Sequence, residues 1–117
     1  MKTYKDLVIW QKSIDLAIEV YRLTERFPSE EKQALSDQLK RAAVSIPSNI
    51  AEGRSRKSDK EFTQFLYIAR GSKSEVETQL YLACKLGYVR VEEAQKAFDL
   101  CEEISKMCTK LISQNEQ

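Results

Sequence analysis

A chain of 117 residues with 42% hydrophobic and 32% charged side chains suits one folded domain and is too apolar for disorder. At this size the core needs neither a disulfide nor a metal, and with only three Gly and two Pro long loops are not expected. Net charge is +1, and there is no histidine at all. That absence removes the commonest general acid–base residue, the Ser-His-Asp triad and the Glu-x-x-His metal site of helical bundles.

Taken in chain order, the pattern predicts four helices. The first spans about 5–27, with Thr3 as N-cap, Asp6 in the first turn and Pro28 as its stop. Its apolar residues fall on two stripes at about 100° per residue. Leu7, Trp10, Ile14, Ala17 and Tyr21 form one; Ile9, Leu16, Val20, Leu23 and Phe27 form the other, with Lys12, Asp15, Glu19, Arg22 and Arg26 between them. A monomeric bundle buries one stripe, so the Ile9–Phe27 stripe is expected to face another subunit.

The second helix spans about 31–54, with Ser29 as its cap and Leu35, Leu39, Ala42, Ala43, Ile46 and Ile50 on its core face. Pro47 is expected to kink it and free the Ala43 carbonyl. Gly53 is expected to cap its C-terminus. The stretch Ser45–Gly53 leaves two readings open: Ser48, Asn49 and Glu52 serve the freed backbone groups, or they contact a ligand.

The third helix spans about 59–86 and opens on the capping box Ser58-Asp59-Lys60-Glu61. Its stripe is Phe62, Phe65, Leu66, Ala69, Val76, Leu80, Ala83 and Cys84, and Gly87 ends it. Gly71 lies mid-helix, where glycine costs roughly 1 kcal/mol relative to alanine. A close helix crossing or a subunit boundary would explain it. The low-charge outer arc of this helix, with Tyr67, Gly71, Thr78, Tyr81 and Leu82, is a second candidate oligomer surface. The fourth helix spans about 91–113, with Ala94, Ala97, Phe98, Cys101, Ile104, Cys108, Leu111 and Ile112 on one face. Short connections make the fold an all-α, antiparallel up-down-up-down four-helix bundle, one domain over 1–117.

The near-neutral total hides one basic segment. Residues 40–60 carry Lys40, Arg41, Arg54, Arg56, Lys57 and Lys60 against Glu52 and Asp59. In an up-down bundle the turn between the second and third helices shares an end with the start of the first and the end of the fourth. Arg54, Arg56, Lys57 and Lys60 should therefore gather with Lys2, Lys5 and Lys110 into an anion-binding surface for RNA or DNA.

Other chemistry is thin. Ser29-x-x-Lys32 matches a serine-hydrolase tetrapeptide but sits at a helix start without partner motifs, and Asp15 and Glu19 are flanked by Lys12 and Arg22. No phosphate-cradling glycine loop occurs. Trp10 and Tyr21 are read as packing residues. Cys84, Cys101 and Cys108 have no ligand partners in the sequence, so no metal and no cofactor are expected, and reduced thiols point to the cytoplasm. No apolar run is long enough to span a membrane. The expected function is a non-catalytic oligomer that binds nucleic acid or a ribonucleoprotein, with a protein–protein adaptor that never touches nucleic acid as the alternative.

Four blocks carry a family resemblance. Asp6-Leu7-Val8-Ile9-Trp10-Gln11-Lys12, Val20-Tyr21-Arg22-Leu23-Thr24 with Phe27-Pro28, the Ser45–Gly53 stretch, and Phe65-Leu66-Tyr67-Ile68-Ala69-Arg70-Gly71-Ser72 resemble the four-helix-bundle proteins encoded within bacterial 23S rRNA intervening sequences. The resemblance implies an up-down bundle assembled as a homopentamer. It also implies kinship with the accessory variability determinant of diversity-generating retroelements, a basic pentamer that binds nucleic acid and a reverse transcriptase. It supplies no catalytic residues.

Overall fold

The computed structural model describes residues 2–117. Four helices carry the fold: α1 Val8–Thr24, α2 Leu35–Arg54, α3 Asp59–Lys85 and α4 Val91–Asn115. No strand occurs among the described residues. The helices form a rod of 44 × 22 × 22 Å.

Each helix packs on its neighbours in chain order and α4 returns to α1, with no diagonal contact across the bundle. Paired residues run in opposite directions across every seam. Tyr21 meets Lys40 while Tyr4 lies near Ala51; Ser45 meets Ser72 while Gly53 meets Phe65; Tyr67 meets Glu116 while Arg70 meets Thr109. Lys12 meets Glu103 while Arg26 meets Glu93. The order is therefore up-down-up-down.

The ends of the helices follow local chemistry, and several differ from expectation. Thr3 and Asp6 form a capping box, but it encloses a single 3-10 turn, Tyr4–Asp6, and Leu7 then extends before α1 begins. Pro28 is followed by another 3-10 turn, Ser29–Glu31, so Ser29 caps nothing and α2 starts four residues later than expected. Ser58 caps α3 as predicted, its hydroxyl accepting from the Glu61 amide at 3.2 Å. Gly87 closes α3 at φ 79°, with its own amide bonded to Cys84 O and the Tyr88 amide to Ala83 O, both at 3.0 Å.

Gly53 is not a cap. It lies inside α2, and an added Cβ there would stand 2.6 Å from Phe65 Cβ and 3.0 Å from Phe62 Cδ1. The glycine lets the backbones of α2 and α3 converge just before their turn. Pro47 is buried within an α2 that continues through it. Asn49 donates to Ser45 O at 2.8 Å rather than to the Ala43 carbonyl that the proline frees. Ser45 and Ser72 share a hydrogen bond of 2.8 Å, so this stretch is engaged in joining α2 to α3.

The largest correction concerns α1. Ile9, Leu16, Val20, Leu23 and Phe27 belong to the core; Leu16 and Val20 are fully enclosed. They are not an oligomer surface. The charged arc lies roughly 80° to one side of this stripe and the Trp10 stripe roughly 120° to the other. A helix with two neighbours uses all three. The charged arc meets α4 through Lys12–Glu103, Glu19–Lys96 and Arg26–Glu93. From the other stripe Trp10, Ile14 and Ala17 lie half-buried along α2 with Tyr21 exposed beyond them, while Leu7 is half-buried beside the end of α4.

Candidate functional site

The end of the rod where α2 turns into α3 carries the expected cations. Tyr4 and Trp10 face Pro47, Ser48 and Ala51 across one groove, which sets the start of the chain beside the end of α2. Lys110 shares another groove with Leu7 and Val8. Lys60 lies beside Asn115 and Glu116 at the end of α4. The structure thus brings the turn, the start of α1 and the end of α4 to one end.

Lys2, Lys5, Arg54, Arg56, Lys57, Lys60 and Lys110 are all exposed. Arg56 is engaged, at 3.4 Å from the Glu52 carboxylate and stacked over the Phe65 ring at 5.1 Å. Among the described residues the other six make no ion pair. The rest of the molecule differs: Arg22 and Lys96 share Glu19, Arg26 and Arg90 share Glu93, and Lys73 holds Glu77 at 2.7 Å. Elsewhere Lys12, Arg26 and Lys96 join α1 to α4, and Arg41, Lys73, Arg90 and Lys106 pair with carboxylates of their own segments, while six of the seven cations at this end make no such pair.

A groove of about 500 Å³ runs into the same end between α3 and α4, lined by Lys60, Thr63, Gln64, Tyr67, Asn115 and Glu116. The Tyr67 hydroxyl reaches Glu116 Oε2 at 3.3 Å, and the Arg70 guanidinium lies over its ring at 4.9 Å. Sequence reasoning missed this groove. Its two sides are separated by almost half the chain, and Thr63, Gln64, Asn115 and Glu116 belong to no motif.

The outer arc of α3 is exposed as expected, at Tyr67, Gly71, Thr78, Tyr81 and Leu82, joined by Ile68. Nothing lies within 4 Å of a Cβ built on Gly71, so no crossing inside the subunit explains that glycine. On the α1–α2 side Ile18, Tyr21 and Val44 are exposed beside the Trp10 groove, whose volume is about 310 Å³.

The thiols are quiet. Burial pushes Cys101 up to about 12, with nearby Glu77 adding and Lys73 opposing, and pushes Cys108 up to about 11. Neither is a thiolate at neutral pH. Among the described residues no three His, Cys, Asp or Glu side chains converge as a metal site would, and no helix is long and apolar enough to cross a membrane.

An antiparallel helical bundle with one cationic end and two apolar outer faces defines a class of small helical proteins built around surfaces. Within that class, a family model for 23S rRNA-intervening sequence proteins matches residues 5–110. The chain belongs to that family. It is also similar to a crystallised protein of unknown function from the S23 ribosomal protein family of Bacteroides thetaiotaomicron, at 28% identity and TM-score 0.82, over 90% of this chain and 98% of that one. No match was found among curated proteins.

Proposed function

We propose that the protein is a non-catalytic homo-oligomer whose basic end binds RNA or DNA through its phosphates. The observation that carries the reading is the set of six cations without ion pairs at one end, in a chain whose other cations are largely paired. Phosphate binding needs such cations, and Arg54 adds a planar fork suited to phosphate oxygens. One subunit offers few charges, and non-specific affinity is about 10⁻⁴–10⁻⁶ M even for dedicated binders. Repetition of the patch in an oligomer raises avidity without new contacts.

The assembly reading now rests on different residues of α1. The α3 arc with Gly71 and the α1–α2 side with Trp10, Tyr21 and Val44 are distinct apolar patches, and two distinct patches meeting head to tail close a ring when the rotation permits. The family resemblance favours five subunits, and the likeness to the accessory variability determinant of diversity-generating retroelements points to nucleic acid as ligand.

The test is an anisotropy titration of labelled RNA and DNA at two salt concentrations, alongside an Arg54→Glu, Lys57→Glu, Lys5→Glu variant. Affinity should fall with salt and fall further in the variant. Absence of binding at low salt, or indifference to the triple change, would favour the second reading, an oligomeric protein adaptor. The exposed α3 arc supports that alternative.

A further inference from the structure

We infer that the groove between the start of α3 and the end of α4 is a base pocket: it receives one unstacked nucleobase of a single strand whose phosphates lie on Lys57 and Lys60. The inference rests on the nucleic-acid reading above and gives that reading a substrate form.

The first observation is unmet hydrogen-bonding capacity. Thr63 is only 6% exposed, yet its hydroxyl has no partner, and neither has the buried Asn115 Nδ2. Both residues line this one groove. Buried polar groups are nearly always paired, because an unpaired one loses its water without compensation. The other side-chain atom in this condition among the described residues is Gln79 Oε1, about 24 Å further along α3 at 1.5 Å per residue. Two orphaned groups on facing helices at one groove mark a place that a polar ligand completes.

The second observation is what else lines the groove. Its volume of about 500 Å³ is within the roughly 300–1,000 Å³ range of small-ligand pockets. Tyr67 supplies an aromatic wall, with Arg70 over its ring at 4.9 Å. Stacking between a base and an aromatic ring is a usual means of holding single strands. The groove presents both donors and acceptors. Asn115 Nδ2 donates, the Gln64 amide does both, Thr63 does both, and the Glu116 carboxylate accepts. A base edge carries the same mixture: ring nitrogens and carbonyls that accept, exocyclic amines that donate. A phosphate alone offers only acceptors and would meet the Glu116 carboxylate unfavourably, so the groove suits a base better than a second phosphate.

The third observation is position. The groove opens beside Lys60 on the cationic end, and Lys57 lies in the turn just before it. A strand held there by its phosphates has its bases free to enter. A duplex keeps its bases stacked and paired, so it reaches the lysines and not the pocket.

The experiment compares three labelled oligonucleotides of equal length with the full chain at low salt: a single strand, the same strand with abasic sites, and a duplex. Phosphate number is the same in the first two, so a difference between them reports the bases. The expected result is about tenfold tighter binding of the base-bearing strand than of the abasic one, within the range that stacking supplies. Thr63→Val and Asn115→Ala should each cut that preference at least threefold and leave duplex binding unchanged. Thr63→Val keeps the shape of the side chain and removes an orphaned hydroxyl, so it should fold at least as stably as the parent. A loss of binding with no loss of stability is a result that a merely structural threonine does not produce. Tyr67 is left intact because it also belongs to the outer arc of α3, and light scattering confirms that the variants keep the parent's mass. Equal affinity for the base-bearing and abasic strands overturns the pocket while leaving the phosphate-binding reading standing. A preference that survives both substitutions overturns it too. No binding of any strand overturns both readings. A free mononucleotide that competes as well as the strand assigns the groove to nucleotides and overturns the single-strand assignment.

Discussion

Replacing Gly53, near the end of α2, and Gly71, in the middle of α3, by alanine should have opposite effects on subunit stability. At Gly53 a methyl group would stand 2.6 Å from Phe65 Cβ and 3.0 Å from Phe62 Cδ1. Phe65 Cβ is tied to the α3 backbone and cannot rotate away, so α2 and α3 must separate where they converge. Overpacking of this kind costs about 1–3 kcal/mol. Alanine returns roughly 1 kcal/mol of helix propensity, leaving a net loss on the order of 1 kcal/mol. At Gly71 nothing lies within 4 Å of the new methyl, so only the gain of roughly 1 kcal/mol applies within the subunit. Urea unfolding followed by circular dichroism, at several protein concentrations, separates the two effects. A Gly53→Ala protein as stable as the parent would refute the close approach of α2 and α3 as the reason for that glycine. If α3 packs on another copy at Gly71, the Gly71→Ala protein should also shift towards smaller species in light scattering. An unchanged mass would place the contact elsewhere.

Leu66 is completely enclosed, so Leu66→Ala should cost about 2–5 kcal/mol in urea unfolding through the cavity it leaves. Leu16→Glu should abolish folding, because Leu16 is core; a folded protein that merely dissociates would restore the interface reading of that stripe. If the outer faces join copies of the chain as proposed, Tyr81→Glu or Val44→Glu should lower the mass seen in light scattering while the helical signal is retained. The Arg90 amide, which donates to Glu93 at 2.9 Å, and then the nearby Arg26 and Arg90 guanidiniums hold the Glu93 carboxyl below the usual range. It therefore contributes stability above the unfolded carboxylate value, lost as pH falls through the lowered folded value. Unfolding measured from pH 6 down to 3 should be less pH-sensitive in Glu93→Gln. The Tyr88 hydroxyl donates to Glu31 at 2.6 Å, and this hydrogen bond, followed by desolvation and the charges of Glu31 and Glu30, raises its pKa. Its stabilising contribution is full below the ordinary tyrosine value of about 10 and is lost as pH rises through the raised folded value. Tyr88→Phe should flatten that alkaline decline.

Where the chain announces its own local chemistry, the fold was legible. Ser58 and Glu61 mark the start of α3, and Gly87 marks its end, because a hydroxyl at an N-cap and a glycine at positive φ act through their own backbone. Gly53 looked like the same signal and was not. A glycine chosen for close approach and one chosen for a cap are identical letters, and only Phe65 on the partner helix distinguishes them. Ser29 was read as the cap of the second helix, yet the chain uses a 3-10 turn after Pro28 to reach α2. The α1 stripes were identified, but their assignment needed a tertiary fact: α4 supplies Glu103, Lys96 and Glu93 to the charged arc. The cationic end was legible because up-down connectivity alone brings its parts together. The groove was not, since Thr63 and Asn115 become significant only when packing removes their water.

The charged seam between α1 and α4 explains why the Ile9–Phe27 stripe turns inward. Glu19 is buried at 7% exposure and is met by both Arg22 and Lys96. Turning α1 by the roughly 120° that would bury the Trp10 stripe instead would carry Glu19 away from Lys96 and leave Lys12 and Arg26 without Glu103 and Glu93. Exposed ion pairs contribute little individually, roughly 0–1 kcal/mol, but the alternative also fits poorly. The Trp10 stripe mixes Trp10 and Tyr21, whose polar tips seek an edge, with Ala17, whereas Ile9, Leu16, Val20 and Leu23 interlock as a uniform aliphatic row. The consequence reaches function. With the aliphatic row inside, the surface left outside along α1 and α2 mixes Trp10 and Tyr21 with Ile14, Ile18 and Val44, and the surface left outside along α3 is Tyr67, Ile68, Gly71, Tyr81 and Leu82. Both run along the 44 Å sides of the rod rather than its ends. In a cyclic assembly every copy has the same orientation to the symmetry axis. A ring closed through the long sides would therefore leave the cationic ends free and set them on a common rim, the arrangement that the proposed phosphate binding calls for.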